Sequence, residues 1–125
     1  MATGYPSIDR PWIGYYPEEA YHLVAPPLSL YGLIKEKNKD YLSGTALSYF
    51  DKTTTFKELF ENIEKTAAAL TEQGVRAGDI VSICSVTTPE VVCLFYALNK
   101  IGAVANMLDP RNNKDYISKV LKDTN

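Results

Sequence analysis

Two short polar loops, each directly after a predicted buried strand, hold the residues that are best placed for chemistry. They are Ser85–Thr88 and Asp109–Asn113. Open α/β sheets bind ligands outside the carboxyl ends of their strands, so a site is expected where these loops lie. Ser85–Thr88 leads into a helix amino terminus, whose free N–H groups can receive a phosphate. It has no glycine that would let the backbone approach an anion closely, so the favoured interpretation is that Thr88 caps its own helix.

The second loop holds an acid and a base two residues apart, Asp109 and Arg111, with Pro110 between them. An arginine side chain recognises phosphate through paired hydrogen bonds, so Arg111 is a candidate phosphate ligand. A turn that only ends the strand is the favoured alternative.

Other reactive residue types give weaker signals. The only histidine, His22, has no evident partner for general-base work, so a surface or packing role is favoured. Cys84 and Cys93 lie in apolar surroundings and are predicted to be reduced core residues, which favours a cytoplasmic protein. The sequence contains no glycine-rich nucleotide motif, no nucleophile elbow and no metal-ligand spacing. From the residues alone we therefore assign no catalytic residue and no metal ligand.

A strand–helix–strand pattern positions the two loops. Asp79–Cys84 and Ala103–Leu108 are short, mostly apolar runs, as expected for buried strands. Between them, Thr88 is a typical helix cap, and Val91–Leu98 is apolar on nearly every side, which predicts a helix covered all round. Two buried strands joined by a helix predict a right-handed βαβ unit of a parallel sheet and place the chain in the α/β class.

Helices and a hairpin are predicted before this unit. Ser29 can cap a helix whose apolar face carries Leu30, Leu33 and Ile34. The runs Ala46–Phe50 and Thr53–Thr55, separated by a turn at Asp51-Lys52, predict an amino-terminal β-hairpin. Thr55 and Glu58 form a capping box, which predicts the start of a long amphipathic helix.

The sequence also predicts a last helix and an amino-terminal arm. Asn112 or Asn113 caps the helix, and its expected buried stripe consists of Tyr116, Ile117, Val120 and Leu121. The first 27 residues are rich in proline and tyrosine, and four aromatic residues lie close together, Trp12, Tyr15, Tyr16 and Tyr21. We expect an arm that lays these rings over the domain, with an aromatic ligand platform as the alternative.

Composition limits the classes of function. The 125 residues are 46% hydrophobic and 22% charged, with a formal net charge of -2. This balance offers no basic surface for nucleic acid, and no apolar run is long enough to cross a bilayer. No secretory signal is visible at the amino terminus. The sequence therefore predicts one ordinary soluble globular domain.

Four sequence segments, in the same order, resemble the beginning of an adenylate-forming (AMP-binding) enzyme. The matching region spans Thr53–Asn125, and the superfamily comprises acyl-CoA synthetases, the adenylation domains of peptide synthetases and luciferases. The segments are Thr54–Leu59, Gly74–Val81, Thr88–Glu90 and Ala97–Val104. Pro11–Tyr16 together with Ala46–Phe50 is similar to the fatty-acid–CoA ligase branch.

The resemblance implies a two-step reaction in the parent enzyme. ATP and a carboxylic acid, with a fatty acid favoured, give an acyl-adenylate and pyrophosphate with Mg²⁺, and the CoA thiol then attacks the adenylate. The family's phosphate loop, ATP-ribose motif and carboxy-terminal lysine would lie beyond Asn125. The fragment alone is therefore expected to be inactive and to bind no cofactor. In the acetyl-CoA branch the loop after the second motif approaches the CoA nucleotide, and here that loop holds Asp109, Pro110 and Arg111.

The predicted organisation is an arm with a short helix over residues 1–40 and a first, incomplete α/β segment of the AMP-binding domain over residues 41–125. A truncated parallel sheet would leave exposed edges, so self-association of the fragment is expected. The alternative is a stand-alone flavodoxin-like, receiver-like or protein-interaction module without catalysis. A receiver needs an acidic pair after its first strand, and Ser85-Val86-Thr87 supplies no acid.

Overall fold

The amino-terminal arm forms three short helical turns. In the computed structural model, which describes residues 3–124, helix α1 spans Pro6–Asp9, and 3-10 helices follow at Pro11–Tyr15 and Glu18–His22. A proline stands at or just before the start of each turn, where its fixed φ suits the first helical residues. Segments of four or five residues are too short to show an apolar period in the sequence.

The arm packs on itself. The Tyr21 hydroxyl donates a hydrogen bond to the Ile13 carbonyl, and no residue of 3–27 belongs to, or packs against, either hydrophobic core cluster of the described chain. The side chains of Trp12, Tyr15, Tyr16 and Tyr21 keep between 45% and 90% of their surface exposed. The prediction that these rings cover the domain is therefore wrong.

Helix α2, Leu30–Lys37, begins at Ser29 as predicted, and the Ser29 hydroxyl accepts a hydrogen bond from the Gly32 N–H at 3.1 Å. The predicted apolar face is partly wrong. Leu30 is exposed, whereas Tyr31 is the buried residue of the helix, since it faces the next two helices of the core.

The predicted hairpin is present. Strand β1 spans Thr45–Tyr49 and pairs antiparallel with β2, Lys52–Thr55, with an irregularity in register near Thr45. The turn lies at Phe50 and Asp51, one residue earlier than predicted, and Phe50 adopts a positive φ of 52°.

Helix α3, Phe56–Glu72, begins directly after β2 through the predicted capping box. The Glu58 N–H donates to the Thr55 hydroxyl at 3.2 Å, and the Glu58 carboxylate accepts from the Thr55 N–H at 2.8 Å. These reciprocal bonds satisfy backbone donors that a helix start otherwise leaves unpaired. Leu59, Phe60, Ile63 and Ala67 form the buried face.

The predicted βαβ unit is also present. Strand β3, Ile80–Cys84, and strand β4, Val104–Leu108, are parallel, and helix α4, Pro89–Ile101, joins them. Gly102 ends α4 in the left-handed conformation with φ 86°. As predicted, the helix is covered on more than one side, because Cys93 and Ala97 belong to one core cluster and Val91 and Leu98 to another on the opposite face. Val91, Cys93, Ala97 and Leu98 are buried, whereas Val92, Leu94, Phe95 and Tyr96 are half-buried.

Helix α5, Lys114–Asp123, begins at Asn113, whose side chain accepts the Tyr116 N–H at 2.8 Å. Its predicted buried stripe is wrong, because Tyr116 and Leu121 are exposed, Ile117 and Val120 are half-buried, and no described residue of the helix is buried.

The architecture is α/β. Helices α2, α3 and α4 surround one core cluster with the β-hairpin beside it, and a second cluster around Ile83, Val91 and Leu98 joins α4 to the parallel strands. Among residues 3–124, each strand pairs with one neighbour, so both two-stranded sheets have open edges. No helix of this part of the chain has the length and apolarity needed to cross a membrane.

Candidate site at the carboxyl ends of the parallel strands

The two loops singled out from the sequence lie together. Cys84 pairs with Leu108 in the last register position of the parallel ladder, so both strands end at the same level. The loops line a cavity of about 400 Å³, whose walls are Ser85, Val86, Thr87, Met107, Leu108, Asp109, Pro110 and Arg111. Its position matches the general rule for ligand sites in open α/β sheets.

Asp109 and Arg111 form a bidentate salt bridge on one wall of this cavity. The Arg111 Nε donates to both Asp109 carboxylate oxygens, at 3.0 and 3.1 Å, and Nη2 donates to Oδ2 at 2.6 Å. The Arg111 backbone N–H also donates to Asp109 Oδ1 at 2.9 Å. The sequence places these groups in one loop, but it does not indicate that they bind one another.

The ion pair stands on a tight turn. The Asn112 N–H donates to the Asp109 carbonyl at 3.1 Å, which closes a four-residue turn with Asp109 first and Pro110 second. Aspartate and proline are favoured at these turn positions, because the carboxylate accepts backbone N–H groups and the ring fixes φ. The turn directly follows the end of β4 at Leu108, where the sequence predicts a turn.

Electrostatics keep both partners charged. The hydrogen bonds from Arg111 lower the pKa of Asp109 to about 2, and the same carboxylate raises the pKa of the Arg111 guanidinium. The pair is exposed to solvent, so it contributes little to stability.

In the Ser85–Thr88 wall, the hydroxyls of Ser85 and Thr88 already bond to backbone groups of the same loop and of α4. The Thr88 hydroxyl accepts the Val91 N–H at 3.4 Å, which confirms that Thr88 caps α4. Ser85 donates to the Val86 carbonyl at 3.1 Å. Ser85 and Thr87 nevertheless line the same cavity as Arg111.

None of the other reactive residues in the described chain lines this cavity. His22 is exposed at the end of the third turn of the arm. Cys93 is buried, and that burial raises the pKa of its thiol, as expected for a reduced core residue. Cys84 is exposed, so its assignment to the core was wrong. In residues 3–124, no group of three histidine, cysteine or acidic side chains is arranged to hold a metal ion.

A polar cluster outside the cavity was missed by sequence reasoning. Glu64 on α3 accepts a hydrogen bond from the Tyr31 hydroxyl and pairs with Lys35 at 3.0 Å and Lys100 at 2.8 Å. These residues come from three helices that are far apart in the sequence, so no local pattern could indicate the cluster. It joins α2 and α3 to α4, the helix of the βαβ unit.

Comparison with known proteins identifies the group to which this fold belongs. A family model described as "AMP-binding enzyme" matches residues 34–125. The chain belongs to the AMP-binding family. This match covers the capping box of α3, the whole βαβ unit and both loops of the cavity.

Relatives within the AMP-binding family include several classes of enzyme. The chain is 25% identical to a long-chain-fatty-acid–CoA ligase of Bacillus subtilis over 91% of its own length and 20% of that protein. It is 33% identical to a linear gramicidin synthase protein of Brevibacillus parabrevis, over 71% of the chain and 1% of that protein. It is 46% identical to an acetyl-coenzyme A synthetase of Vibrio cholerae over 43% of the chain and 8% of that protein. The chain therefore spans a fifth or less of these curated relatives.

Solved structures share the fold. The N-terminal subdomain of Klebsiella oxytoca NpsA, in complex with 3-hydroxybenzoyl-AMSN, aligns with a TM-score of 0.73 at 29% identity over 77% of this chain and 24% of that one. A putative long-chain-fatty-acid CoA ligase of Rhodopseudomonas palustris aligns with a TM-score of 0.73 at 28% identity over 78% of this chain and 25% of that one. The α/β segment described here thus has the fold of part of an adenylate-forming N-terminal subdomain.

Proposed function

We propose that this AMP-binding chain is the amino-terminal scaffold of an acyl-CoA synthetase that activates a carboxylic acid, most simply a fatty acid, for transfer to CoA. The proposed protein is a cytoplasmic, ATP-dependent acid–thiol ligase. Residues 1–40 are its arm and residues 41–125 the first part of its AMP-binding domain, although α2, on the arm side of this division, packs into the core through Tyr31.

One observation carries the choice of branch. The alignment with the fatty-acid–CoA ligase covers 91% of the chain, so it must include most of the aromatic arm. The alignment with the gramicidin synthase covers 71% and that with the acetyl-CoA synthetase 43%. Similarity that extends into the arm favours the fatty-acid branch.

The proposed chemistry has two steps. The carboxylate attacks the α-phosphate of ATP, which forms an acyl-adenylate and releases pyrophosphate. The CoA thiol then attacks the acyl carbon, which forms a thioester and releases AMP. The first step is needed because a free carboxylate has no good leaving group. In the acyl-adenylate, AMP is a good leaving group on the acyl carbon.

This chain's own contribution is to support and to position. In the proposal Asp109, Pro110 and Arg111 lie beside the CoA nucleotide, where a guanidinium suits a phosphate group. Mg²⁺ does not fit here among the described residues, because the one carboxylate of the cavity, Asp109, is already paired with Arg111 and no metal-binding cluster is present in residues 3–124. No step of the proposed chemistry therefore depends on a metal held by these residues.

The test begins with the native polypeptide that contains this sequence, whose size is measured by intact mass. That polypeptide is then assayed for ATP–pyrophosphate exchange with saturated fatty acids of increasing length, acetate and the twenty amino acids. Exchange with a fatty acid, followed by CoA thioester formation, is the expected result.

Two results would contradict the proposal. Exchange with amino acids alone would place the protein with peptide synthetases, which the NpsA and gramicidin synthase similarities favour as the second candidate. A native polypeptide of this length without any exchange would favour a non-catalytic module.

A further inference from the structure

The Arg111 guanidinium is held by one of its two hydrogen-bonding edges. Its Nε and Nη2 atoms donate to Asp109, whereas no described residue accepts a hydrogen bond from Nη1. The side chain is 86% exposed. A guanidinium offers five N–H donors, so this arrangement leaves the end formed by Nη1 and Nη2 available for a second acceptor.

The backbone that carries the Arg111 side chain is also held in place. Asp109 bonds both the backbone N–H and the guanidinium of Arg111, and its carbonyl closes the turn to Asn112. Pro110 restricts the backbone between them. Two residues later, Asn113 caps α5. These bonds hold the Arg111 backbone in the turn and its guanidinium against Asp109.

We propose that Asp109 is a positioning residue that directs the Nη1 edge of Arg111 toward a phosphate group of a nucleotide substrate in the cavity between the two loops. The inference rests on the proposed function, which supplies two substrates with phosphate groups, ATP and CoA. Phosphate suits a planar edge with two parallel donors. The hydroxyls of Ser85 and Thr87, on the facing wall, are further donors in the same cavity.

A purely neutralising role for Asp109 predicts the opposite change in nucleotide affinity. If its carboxylate only neutralised Arg111, it would compete with the ligand phosphate, and its removal would strengthen binding. If Asp109 positions Arg111, loss of the carboxylate weakens binding although the local net charge becomes more positive. The direction of the change therefore distinguishes the two roles.

The experiment measures the affinities of the native polypeptide for CoA, dephospho-CoA and a non-hydrolysable ATP analogue by calorimetry. Arg111→Ala should weaken binding of one nucleotide about tenfold, the scale of a lost charge-assisted hydrogen bond. Arg111→Lys and Asp109→Asn, which keep the cation but break the paired geometry, should each weaken the same nucleotide roughly threefold. A loss for CoA and dephospho-CoA points to the CoA diphosphate, a loss for CoA alone to its 3′-phosphate, and a loss for the ATP analogue to ATP.

Asp51→Asn is the matched control, because Asp51 is an exposed aspartate in the hairpin turn, outside the cavity. It should leave all three affinities unchanged. In steady-state assays Asp109→Asn should raise the KM of the affected nucleotide, with kcat and the thermal midpoint preserved.

Unchanged or tighter nucleotide binding by Asp109→Asn would overturn the inference, and so would a uniform loss for every substrate together with a lower thermal midpoint. These failures are separate from failure of the proposed function. A wild-type protein that makes acyl-CoA while Asp109→Asn keeps a normal KM contradicts the positioning role alone. A wild-type protein that binds none of the three nucleotides contradicts both.

Discussion

The Tyr31 hydroxyl donates a hydrogen bond to the Glu64 carboxylate, while the backbone N–H of the same tyrosine donates to the Asn99 side chain at 2.8 Å. One residue of α2 is therefore bonded to both α3 and α4. Its ring also packs edge-on against Phe60, with ring centroids 6.2 Å apart. Because α4 is the helix that joins the two parallel strands, these bonds connect α2 to the element that positions the cavity loops.

Tyr31→Phe tests this connection. The substitution keeps the buried ring but removes the donor to Glu64, and we expect the free energy of unfolding to fall by about 1 kcal/mol. Urea unfolding followed by circular dichroism measures the change. Tyr116→Phe is the control, since Tyr116 is 52% exposed, and it should be neutral. Equal stability of the two variants would show that the Tyr31 hydroxyl contributes nothing.

The Glu64 cluster also predicts how stability changes with pH. Hydrogen bonds from Lys100 and Tyr31, together with Lys35, lower the pKa of Glu64 from 4.5 to about 2. A carboxylate with a lowered folded-state pKa stabilises the fold above its unfolded pKa, and this contribution is lost as pH falls from about 4.5 toward 2. Glu64 is 42% exposed, so solvent screening limits the contribution to about 1 kcal/mol.

The measurement compares wild type with Glu64→Gln by urea unfolding from neutral pH down to the lowered pKa of Glu64. The wild type should be the more stable protein at neutral pH, and its advantage should shrink once the pH falls below the ordinary pKa of a glutamate. Glu61→Gln, a change of the same kind at an exposed position of α3, is the control. A difference between wild type and Glu64→Gln that does not vary with pH would contradict this account.

Local signals in the sequence determined most of the elements. Thr55 with Glu58, Thr88 with Pro89, and Ser29 each mark a helix start within a few residues, and all of these starts are confirmed. The parallel pairing followed from two apolar runs joined by a helix. These features depend on neighbours along the chain, so no knowledge of tertiary packing was needed.

Burial was predicted less well, because it depends on what covers a side chain. The stripe of α5 has the right period, but the described chain leaves Tyr116 and Leu121 exposed. Cys84 follows an apolar strand and is nevertheless exposed at its end. At the candidate site the sequence correctly placed the two loops together, whereas the pairing of Arg111 with Asp109 required side-chain geometry.

The open sheet edges predict self-association of the 125-residue chain. Strands β3 and β4 carry no charged residue or proline, and Met107 on β4 is 49% exposed, so little protects these edges from pairing with another copy. We expect the mean mass in light scattering to increase with concentration. Met107→Lys should reduce this increase, whereas Thr53→Lys, on the separate hairpin sheet, should not. A constant monomer mass over the whole concentration range would contradict the prediction.

At Gly102, which ends α4, an alanine would cost stability in two ways, through backbone strain and through a steric contact, and a second glycine allows the two costs to be measured separately. Gly102 has φ 86°, and a Cβ atom built there would lie 3.2 Å from the Ala77 Cβ. Its carbonyl also accepts the Gly78 N–H at 2.9 Å, which holds the turn before β3 against the end of α4. Gly102→Ala should therefore lower the free energy of unfolding by about 2 kcal/mol, through left-handed strain and displacement of Ala77 together.

Gly74→Ala is the informative comparison, since Gly74 has φ 101° but a Cβ atom there would meet nothing within 4 Å. Gly74→Ala introduces the backbone strain without a steric contact, so we expect the free energy of unfolding to fall by about 1 kcal/mol. Gly14→Ala, at a position with neither a positive φ nor a close contact, should not destabilise the chain. If Gly102→Ala cost no more than Gly74→Ala in urea unfolding, the contact with Ala77 would be too soft to matter, and the junction between α4 and the parallel strands would depend on the glycine backbone alone.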